Sequence, residues 1–225
     1  MNELTSQGKC LFCDIIFDIK DITRHLHNHL KQKAPENPGK KGKSYLVTAG
    51  SGPYFLQLWI DGDSELYILD DFLRGIWVEC CDHLSAFFIN RHDEIDMEEK
   101  VSNVFHKGLK LMYEYDFGTT TRLEIKVVNE YPMPANESIV LLSRNEPLKI
   151  LCNKCGKKPA EVICPDHIYR GEGYYCMNCG KKHEKECEYF SVEESLPVVN
   201  SPRCGECGYT GGIIDTERDG VYKAN

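Results

Sequence analysis

The stretch from Cys152 to Cys187 reads CNKCGKKPAEVICPDHIYRGEGYYCMNCGKKHEKEC. It contains eight cysteine and histidine side chains of the kind that bind zinc, and they occur as four close pairs. Two residues separate the members of each of the first three pairs, and three separate the members of the last. This spacing lets each pair hold one ion from a single turn, which is how tetrahedral zinc sites are built. The expected ligands are Cys152, Cys155, Cys164, His167, Cys176, Cys179, His183 and Cys187.

The order of these pairs resembles the MYND finger family, most specifically in the run from Tyr174 to Cys187. In that family pairs one and three share one ion, and pairs two and four share the other, an arrangement called a cross-brace. His167 stands where the family usually has cysteine, which changes the charge of the site more than its geometry. Sequential pairing, one with two and three with four, stays open. The resemblance implies one site of Cys152, Cys155, Cys176 and Cys179, and a second of Cys164, His167, His183 and Cys187.

A second zinc-binding pattern lies near the N-terminus, in the sequence CLFCDIIFDIKDITRHLHNH from Cys10 to His29. It has the order of a Cys-Cys-His-His finger, with one residue fewer than usual between the second cysteine and the first histidine. The positions that face bases in a DNA-reading finger hold Asp18, Asp21 and Arg24. Two carboxylates facing a phosphate-lined groove are unfavourable, so we interpret the finger as structural or protein-binding. Its expected ligands are Cys10, Cys13, His25 and His29.

A fifth pair, Cys204 and Cys207, follows in the segment LPVVNSPRCGECGYTG. The pair could replace one of the earlier pairs as ligands, in particular His183 and Cys187, or bind a third ion with a partner chain. It could also be two thiols in a Gly-rich turn. Both residues are therefore candidate ligands, and the expected zinc content ranges from two to four structural ions.

Between the two zinc-binding regions the sequence predicts an α+β domain. A strand is expected over Tyr54 to Ile60, and a hairpin from the alternating apolar residues of 109–115 and 123–127. An apolar stripe at helical spacing predicts a helix that is capped by Asp70 or Asp71 and ends near Cys80 and Cys81, which we expect to be buried thiols.

This central region resembles the plasmid-borne ORF-three-like family, whose members are also described as passenger proteins of an insertion element. The resemblance is carried by IWVECCDHLSAF at residues 76–87 and YEYDFG at residues 113–118, and it covers roughly residues 50–130. It implies an α+β fold and no settled activity. The chain departs from the family after Gly118, which argues against an active site there. We expect His83 and Asp116, the matching polar residues, to be structural hydrogen-bonding groups.

The resulting domain prediction has four parts. Residues 1–30 form the finger and residues 31–43 a basic flexible linker. Residues 44–150 form a mixed or antiparallel sheet domain with helices. Residues 151–225 form the cross-brace module with a Gly-rich, polar tail.

Composition narrows the functional classes. The 225 residues include 12 cysteines and carry a formal charge of −8, which argues against a general polyanion binder. The N-terminal residues 1–9 are polar, and no apolar run is long enough for a membrane span, so we expect a cytoplasmic protein with cysteines that bind metal rather than form disulfides. Closed four-ligand sets and the lack of G-x-S-x-G, HExxH or Walker motifs argue against an enzyme. The sequence predicts an interaction protein with a protein partner and no small-molecule substrate; the alternative is nucleic-acid binding through the finger and the basic linker.

Overall fold

The computed structural model describes residues 6–33, 39, 41–90 and 93–214. Residues 34–38 and 40 of the predicted linker, and the predicted polar tail from Asp215 onward, lie outside these residues. The strands are β1 (Gln7–Lys9), β2 (Ile16–Asp18), β3 (Ser44–Ser51), β4 (Tyr54–Asp61), β5 (Ser85–Phe88), β6 (Glu94–Ile95), β7 (Lys110–Tyr115), β8 (Thr121–Tyr131), β9 (Ile139–Arg144), β10 (Val162–Ile163), β11 (Tyr174–Tyr175) and β12 (Leu196–Pro197). The helices are α1 (Ile19–Gln32), α2 (Tyr67–Leu73), α3 (Val101–Val104), α4 (Pro165–Ile168) and α5 (Met177–His183), and a π-helical turn spans Arg74–Val78.

A seven-stranded sheet in the order β6-β5-β7-β8-β3-β4-β9 is the largest element, and all its neighbouring strands are antiparallel. The predicted hairpin is present as β7 and β8, with Tyr113 opposite Leu123. Along β8 from Thr121 to Val127 buried and exposed residues alternate, because successive side chains of a strand point to opposite faces. The α+β fold class is therefore confirmed.

Helix α1 packs one face on this sheet. Its apolar residues Ile22, Leu26 and Leu30 recur every four residues, so they lie on one side of the helix and are fully buried. They share a core with sheet residues, among them Trp59 and Leu142. An apolar core shared with the sheet therefore holds the finger helix in place, independently of the metal ligands.

The compact units of the chain differ from the predicted domains. One unit contains residues 1–74 and 83–146, so the finger belongs with the sheet rather than standing alone. The other contains residues 75–82 and 147–225, which adds the segment Gly75–Asp82 to the cysteine-rich C-terminal region.

Within the second unit, β11, β10 and β12 form a three-stranded antiparallel sheet, and the short helices α4 and α5 follow β10 and β11 in the chain. Gly180 on α5 lies so close to β10 that an added Cβ would be 3.1 Å from a methyl group of Val162. The buried cluster around the predicted ligands is small, consisting of Cys152, Val162, Cys164, Tyr175, Cys176 and Phe190.

The expected helix near residue 70 begins earlier than predicted. Its N-cap is Leu66, so neither Asp70 nor Asp71 caps it. Asp70 instead lies inside the fold, where its carboxylate accepts hydrogen bonds from the hydroxyls of Tyr113 and Ser85, both at 2.7 Å. The sequence predicted a capping role because Asp70 precedes an apolar stripe, and its partners Tyr113 and Ser85 are distant in the sequence. Within the described residues, none of the helices combines the length and apolar composition that crossing a bilayer requires.

Candidate metal centres

The described residues contain four groups of cysteine and histidine side chains that could hold a metal ion, with the ligand atoms of each group within 4.8 Å of one another. In a tetrahedral site with bonds of 2.0 to 2.3 Å, neighbouring ligand atoms are about 3.3 to 3.8 Å apart. This separation is the test that each group must meet.

The N-terminal group lies between the β1–β2 hairpin and α1. Cys10 and Cys13 are in the turn, where Asp14 N–H donates to the Cys10 carbonyl. Cys13 Sγ is 3.2 Å from His25 Nε2, which is 3.0 Å from His29 Nε2. All four predicted finger ligands are therefore brought together, by two short strands, the turn between them and α1.

Aromatic packing fixes the histidines of this group. The Phe17 ring stacks on His25 with centroids 4.1 Å apart, and the Phe12 ring lies 5.2 Å from His29. Burial, with the nearby His29, lowers the pKa of His25 and so favours the neutral imidazole that binds a metal.

In the C-terminal region the first and third pairs of the sequence share a group. Cys152, Cys155, Cys176 and Cys179 converge, which is the first half of a cross-brace. Cys152 and Cys155 lie in a turn closed by a hydrogen bond from Gly156 N–H to the Cys152 carbonyl. Backbone N–H groups of Lys158 and Lys157 lower the pKa of Cys155 to about 6, whereas burial and the neighbouring sulfurs of Cys176 and Cys152 raise the pKa of Cys179 to about 12. Adjacent thiolates repel, and a bound cation relieves that repulsion.

The second and fourth pairs form the other group, made of Cys164, His167, His183 and Cys187. Cys164 Sγ lies 3.2 Å from His167 Nδ1. The Nε2 atom of His183 is buried and has no hydrogen-bond partner among the described residues, which suits a nitrogen that binds a metal. The ring of Tyr175 stacks on His183 at 4.5 Å and orients it.

Helix α5 links the two C-terminal groups. Cys176 is its N-cap and Cys179 lies in its first turn, while His183 is its last residue, one turn further on. One short helix therefore supplies ligands to both groups, which is the cross-brace arrangement rather than the sequential one.

The fourth group was not predicted. Cys80 Sγ is 3.5 Å from Cys81 Sγ, which is 3.6 Å from Cys207 Sγ. The expectation that Cys80 and Cys81 are buried is wrong, since Cys80 is half-buried and Cys81 exposed. The only sequence signals were an adjacent cysteine pair and a fifth cysteine pair without an assigned partner.

The structure also separates the fifth pair. Cys207 joins the fourth group, whereas Cys204 belongs to none of the groups formed by the described residues. Cys204 Sγ accepts a hydrogen bond from Val199 N–H at 3.3 Å, and burial raises the pKa of Cys204 to about 11. These two cysteines thus have different environments, and neither joins His167 or Cys164 in place of His183 and Cys187.

His83 and Asp116 contact one another beside the turn after β7. Asp116 adopts a positive φ of 64°, and its carboxylate accepts hydrogen bonds from the N–H groups of Gly118 and Thr119 that close the turn after β7. His83 Nε2 lies 3.6 Å from that carboxylate, and the backbone N–H of His83 donates to the Tyr115 hydroxyl.

A buried polar network centred on Asp70 was missed by the sequence analysis. Arg74 Nε donates to its carboxylate at 3.0 Å, in addition to the two hydroxyl donors. Burial, with the nearby Asp70 carboxylate, raises the pKa of Tyr113, which keeps that hydroxyl a donor. The network joins α2 to β5 and β7.

The donor sets fit zinc. Neutral imidazole and thiolate are the ligands that zinc prefers, and the ligand separations of 3.0 to 3.2 Å given above lie within a few tenths of an ångström of the tetrahedral range. An ion bound by the finger ligands, or by Cys152, Cys155, Cys176 and Cys179, would link a turn to a helix, and an ion in the group with His183 would link α4 to α5. Each ion would act as a structural crosslink.

Comparison with known proteins adds little to these observations. The chain matches no protein-family model, and no curated protein is significantly similar to it. A crystal structure of a protein of unknown function from Methanosarcina mazei Go1 is similar with a TM-score of 0.38 and 15% sequence identity, covering 46% of this chain and 68% of that one.

Proposed function

We propose that this protein is a zinc-binding interaction protein without catalytic activity, which docks a protein partner through its C-terminal module. The observation that carries the proposal is the closure of the predicted metal groups. Each of the three groups offers four protein ligands, whereas a catalytic zinc keeps one position for water or substrate. Zinc in these groups would hold surfaces in place rather than activate a reactant.

The proposed docking surface is a cleft of about 920 Å³ that includes the metal site itself, since His167, His183 and Cys187 line it. The Tyr189 side chain lines it and is 71% exposed. An exposed aromatic ring offers a flat apolar face to a partner, such as a proline ring. The resemblance to the MYND family suggests the same class of partner, a short extended and often Pro-rich peptide.

The acidic lining of this cleft favours a basic partner. Its lining includes the carboxylates of Asp166, Glu172, Glu186 and Glu188, against one lysine, Lys154. Carboxylates around an apolar contact favour lysine or arginine in the partner, because complementary charge speeds encounter and rejects acidic competitors. The proposed ligand is therefore an extended peptide with proline next to basic residues.

The test is co-purification of the full chain from its host cells with and without nuclease. We expect a defined protein partner that survives nuclease and is lost in the Tyr189→Ala variant. Tyr67→Ala is the matched control, since Tyr67 is also exposed but lies in the other compact unit. Loss of every partner after nuclease, or equal recovery with Tyr189→Ala, would count against the proposal.

We propose that residues 50–130, which resemble the ORF-three-like family, act as the scaffold that carries the finger. The buried Asp70 network and the packing of α1 on the sheet support a structural role for this region.

One observation favours the alternative, nucleic-acid binding. Lys31, Lys33 and Lys107 line a single cleft beside α1. Other features oppose it: Arg24, the one basic residue among the base-facing positions, is paired with Asp21 at 2.7 Å. Lys33 also lies over the Trp59 ring at 5.2 Å, which engages its charge within the fold.

A salt titration separates the two functions. Nucleic-acid binding through these lysines requires an affinity that falls steeply with salt and weakens in a Lys31→Ala, Lys107→Ala double variant. Absence of binding to DNA and RNA at about 50 mM salt would remove this alternative.

A further inference from the structure

We propose that Cys80, Cys81 and Cys207 form a further zinc site, more accessible to solvent than the groups of the finger and the module. The three sulfurs belong to the same compact unit, although 126 residues separate Cys81 from Cys207. His83 follows Cys81 by two residues in the sequence, so this short stretch also carries an imidazole.

Contacts that do not involve sulfur bring residues 75–82, which carry Cys80 and Cys81, next to residues 201–214, which carry Cys207. Ser201 Oγ donates to the Trp77 carbonyl at 2.6 Å, and Ile214 N–H donates to the Gly75 carbonyl at 3.0 Å. The backbones approach so closely at Gly212 that an added Cβ would lie 2.4 Å from the Ile76 carbonyl oxygen. The fold therefore places the cysteines side by side without needing a bond between them.

The loop that carries Cys207 has an unusual backbone conformation. Cys207 has a φ of 45°, between Gly205 at 89° and Gly208 at 71°. A non-glycine residue in the left-handed region costs free energy, and such residues cluster at functional sites. In this backbone conformation the Cys207 sulfur lies 3.6 Å from the Cys81 sulfur.

The separations between sulfurs favour an ion over a disulfide. A disulfide requires about 2.05 Å between sulfur atoms. Two thiolates on one zinc ion, with bonds of about 2.3 Å, lie about 3.8 Å apart. The measured 3.5 and 3.6 Å are close to the second value.

A buried cation balances the charge of such a site. Arg203 is fully buried, and its Nη2 donates to Cys80 Sγ at 3.4 Å. On binding, three thiols release three protons to solvent, and three thiolates with one Zn²⁺ carry a net charge of −1. The guanidinium of Arg203 offsets that charge, and no oxidation or reduction is involved.

Exposure distinguishes this site from the others. Cys81 and Cys207 are exposed, whereas the module and finger groups contain at least one buried cysteine each. Chelators and exchanging ligands reach exposed thiolates first, so this ion is the one expected to leave without unfolding the chain.

The test is the zinc content of the full-length protein purified with a non-thiol reductant and excess zinc, then desalted. Cys81→Ser and Cys207→Ser are each expected to contain one zinc ion fewer per chain than the wild type. Cys204→Ser is the matched control, because Cys204 lies in the same loop but outside the group, and its zinc content is expected to equal that of the wild type. Equal zinc content in the wild type and in both test variants would overturn the proposal.

A second measurement covers the case in which a variant folds poorly. In the wild type, titration with a chromogenic chelator is expected to release one zinc ion before the circular dichroism signal changes. This early release should be absent from Cys81→Ser. Release of all zinc in one step together with unfolding, or an unchanged early release in Cys81→Ser, would contradict an accessible site built on these thiolates.

Discussion

The N-terminal finger and the C-terminal module use the same ligand chemistry but differ in what surrounds it. The finger contributes to a core of ten buried residues, of which only Cys10 is a ligand. The module has a core of six buried residues, and three of them, Cys152, Cys164 and Cys176, are ligands. In the finger a metal would add to an apolar core; in the module the ligand sulfurs are themselves half of the core.

The largest expected effect is therefore that of metal removal. A structural zinc contributes on the order of 10 to 16 kcal/mol to the folding of small zinc fingers. On chelation under reducing conditions we expect residues 152–190 to lose amide protection in hydrogen exchange, because a six-residue core cannot hold them. Helix α1 should stay protected, since Ile22, Leu26 and Leu30 remain buried on the sheet. Simultaneous loss of protection in both regions would show that the finger depends on its metal as much as the module does.

The next effect is on the apolar face of the finger. Leu26→Ala should lower the free energy of unfolding of the sheet-containing unit by about 2 to 5 kcal/mol, because a fully buried leucine leaves a cavity. Denaturant unfolding followed by tryptophan fluorescence measures this change. Asn28→Ala, on the exposed side of α1, is the control and should change stability by no more than about 0.5 kcal/mol. A similar loss in both variants would mean that the metal, not the core, holds α1.

A smaller effect comes from the hydrogen bond between α1 and the sheet. Gln57 is fully buried, and its amide donates to Thr23 Oγ1 at 2.9 Å. Thr23→Val removes that acceptor while keeping the shape, so we expect a loss of about 1 to 3 kcal/mol in thermal or denaturant unfolding. Thr23→Ser retains a hydroxyl and should lose less than Thr23→Val. The opposite order would show that the methyl group matters more than the hydrogen bond.

The smallest effect concerns ligand identity in the module. His167→Cys should leave the zinc content unchanged, because thiolate and imidazole both bind zinc in tetrahedral sites. His167→Ala should lower it by one ion per chain. Mass spectrometry under native conditions counts the ions. If His167→Cys loses an ion as well, the site is more selective for imidazole than the geometry suggests.

Local patterns carried most of what the sequence could predict. The finger ligands and the module pairs lie within short segments, so their spacing alone brought each pair together. The β7–β8 hairpin is likewise local, and its alternating residues indicated which face is buried.

Long-range partners were beyond such patterns. Asp70 accepts a hydrogen bond from Tyr113, which is 43 positions further along the chain, and the Cys81 sulfur lies next to that of Cys207, which is 126 positions further along. Ile22, Leu26 and Leu30 recur every four residues along α1, but that spacing does not show that the sheet covers them. These pairings depend on tertiary packing, which leaves no spacing signal along the chain.

Helix α5 has one more consequence, which concerns the order in which the module binds its ions. Because Cys179 and His183 lie one turn apart on the same short helix, an ion in the first group also orders His183, one of the four ligands of the second. The entropy cost of organising the helix is met by the first ion, so the second binds more tightly. Zinc loading of the module should therefore be cooperative, with chains holding both ions or neither predominating over singly loaded chains at sub-stoichiometric zinc. The module would then respond to zinc supply as a threshold rather than in proportion to it.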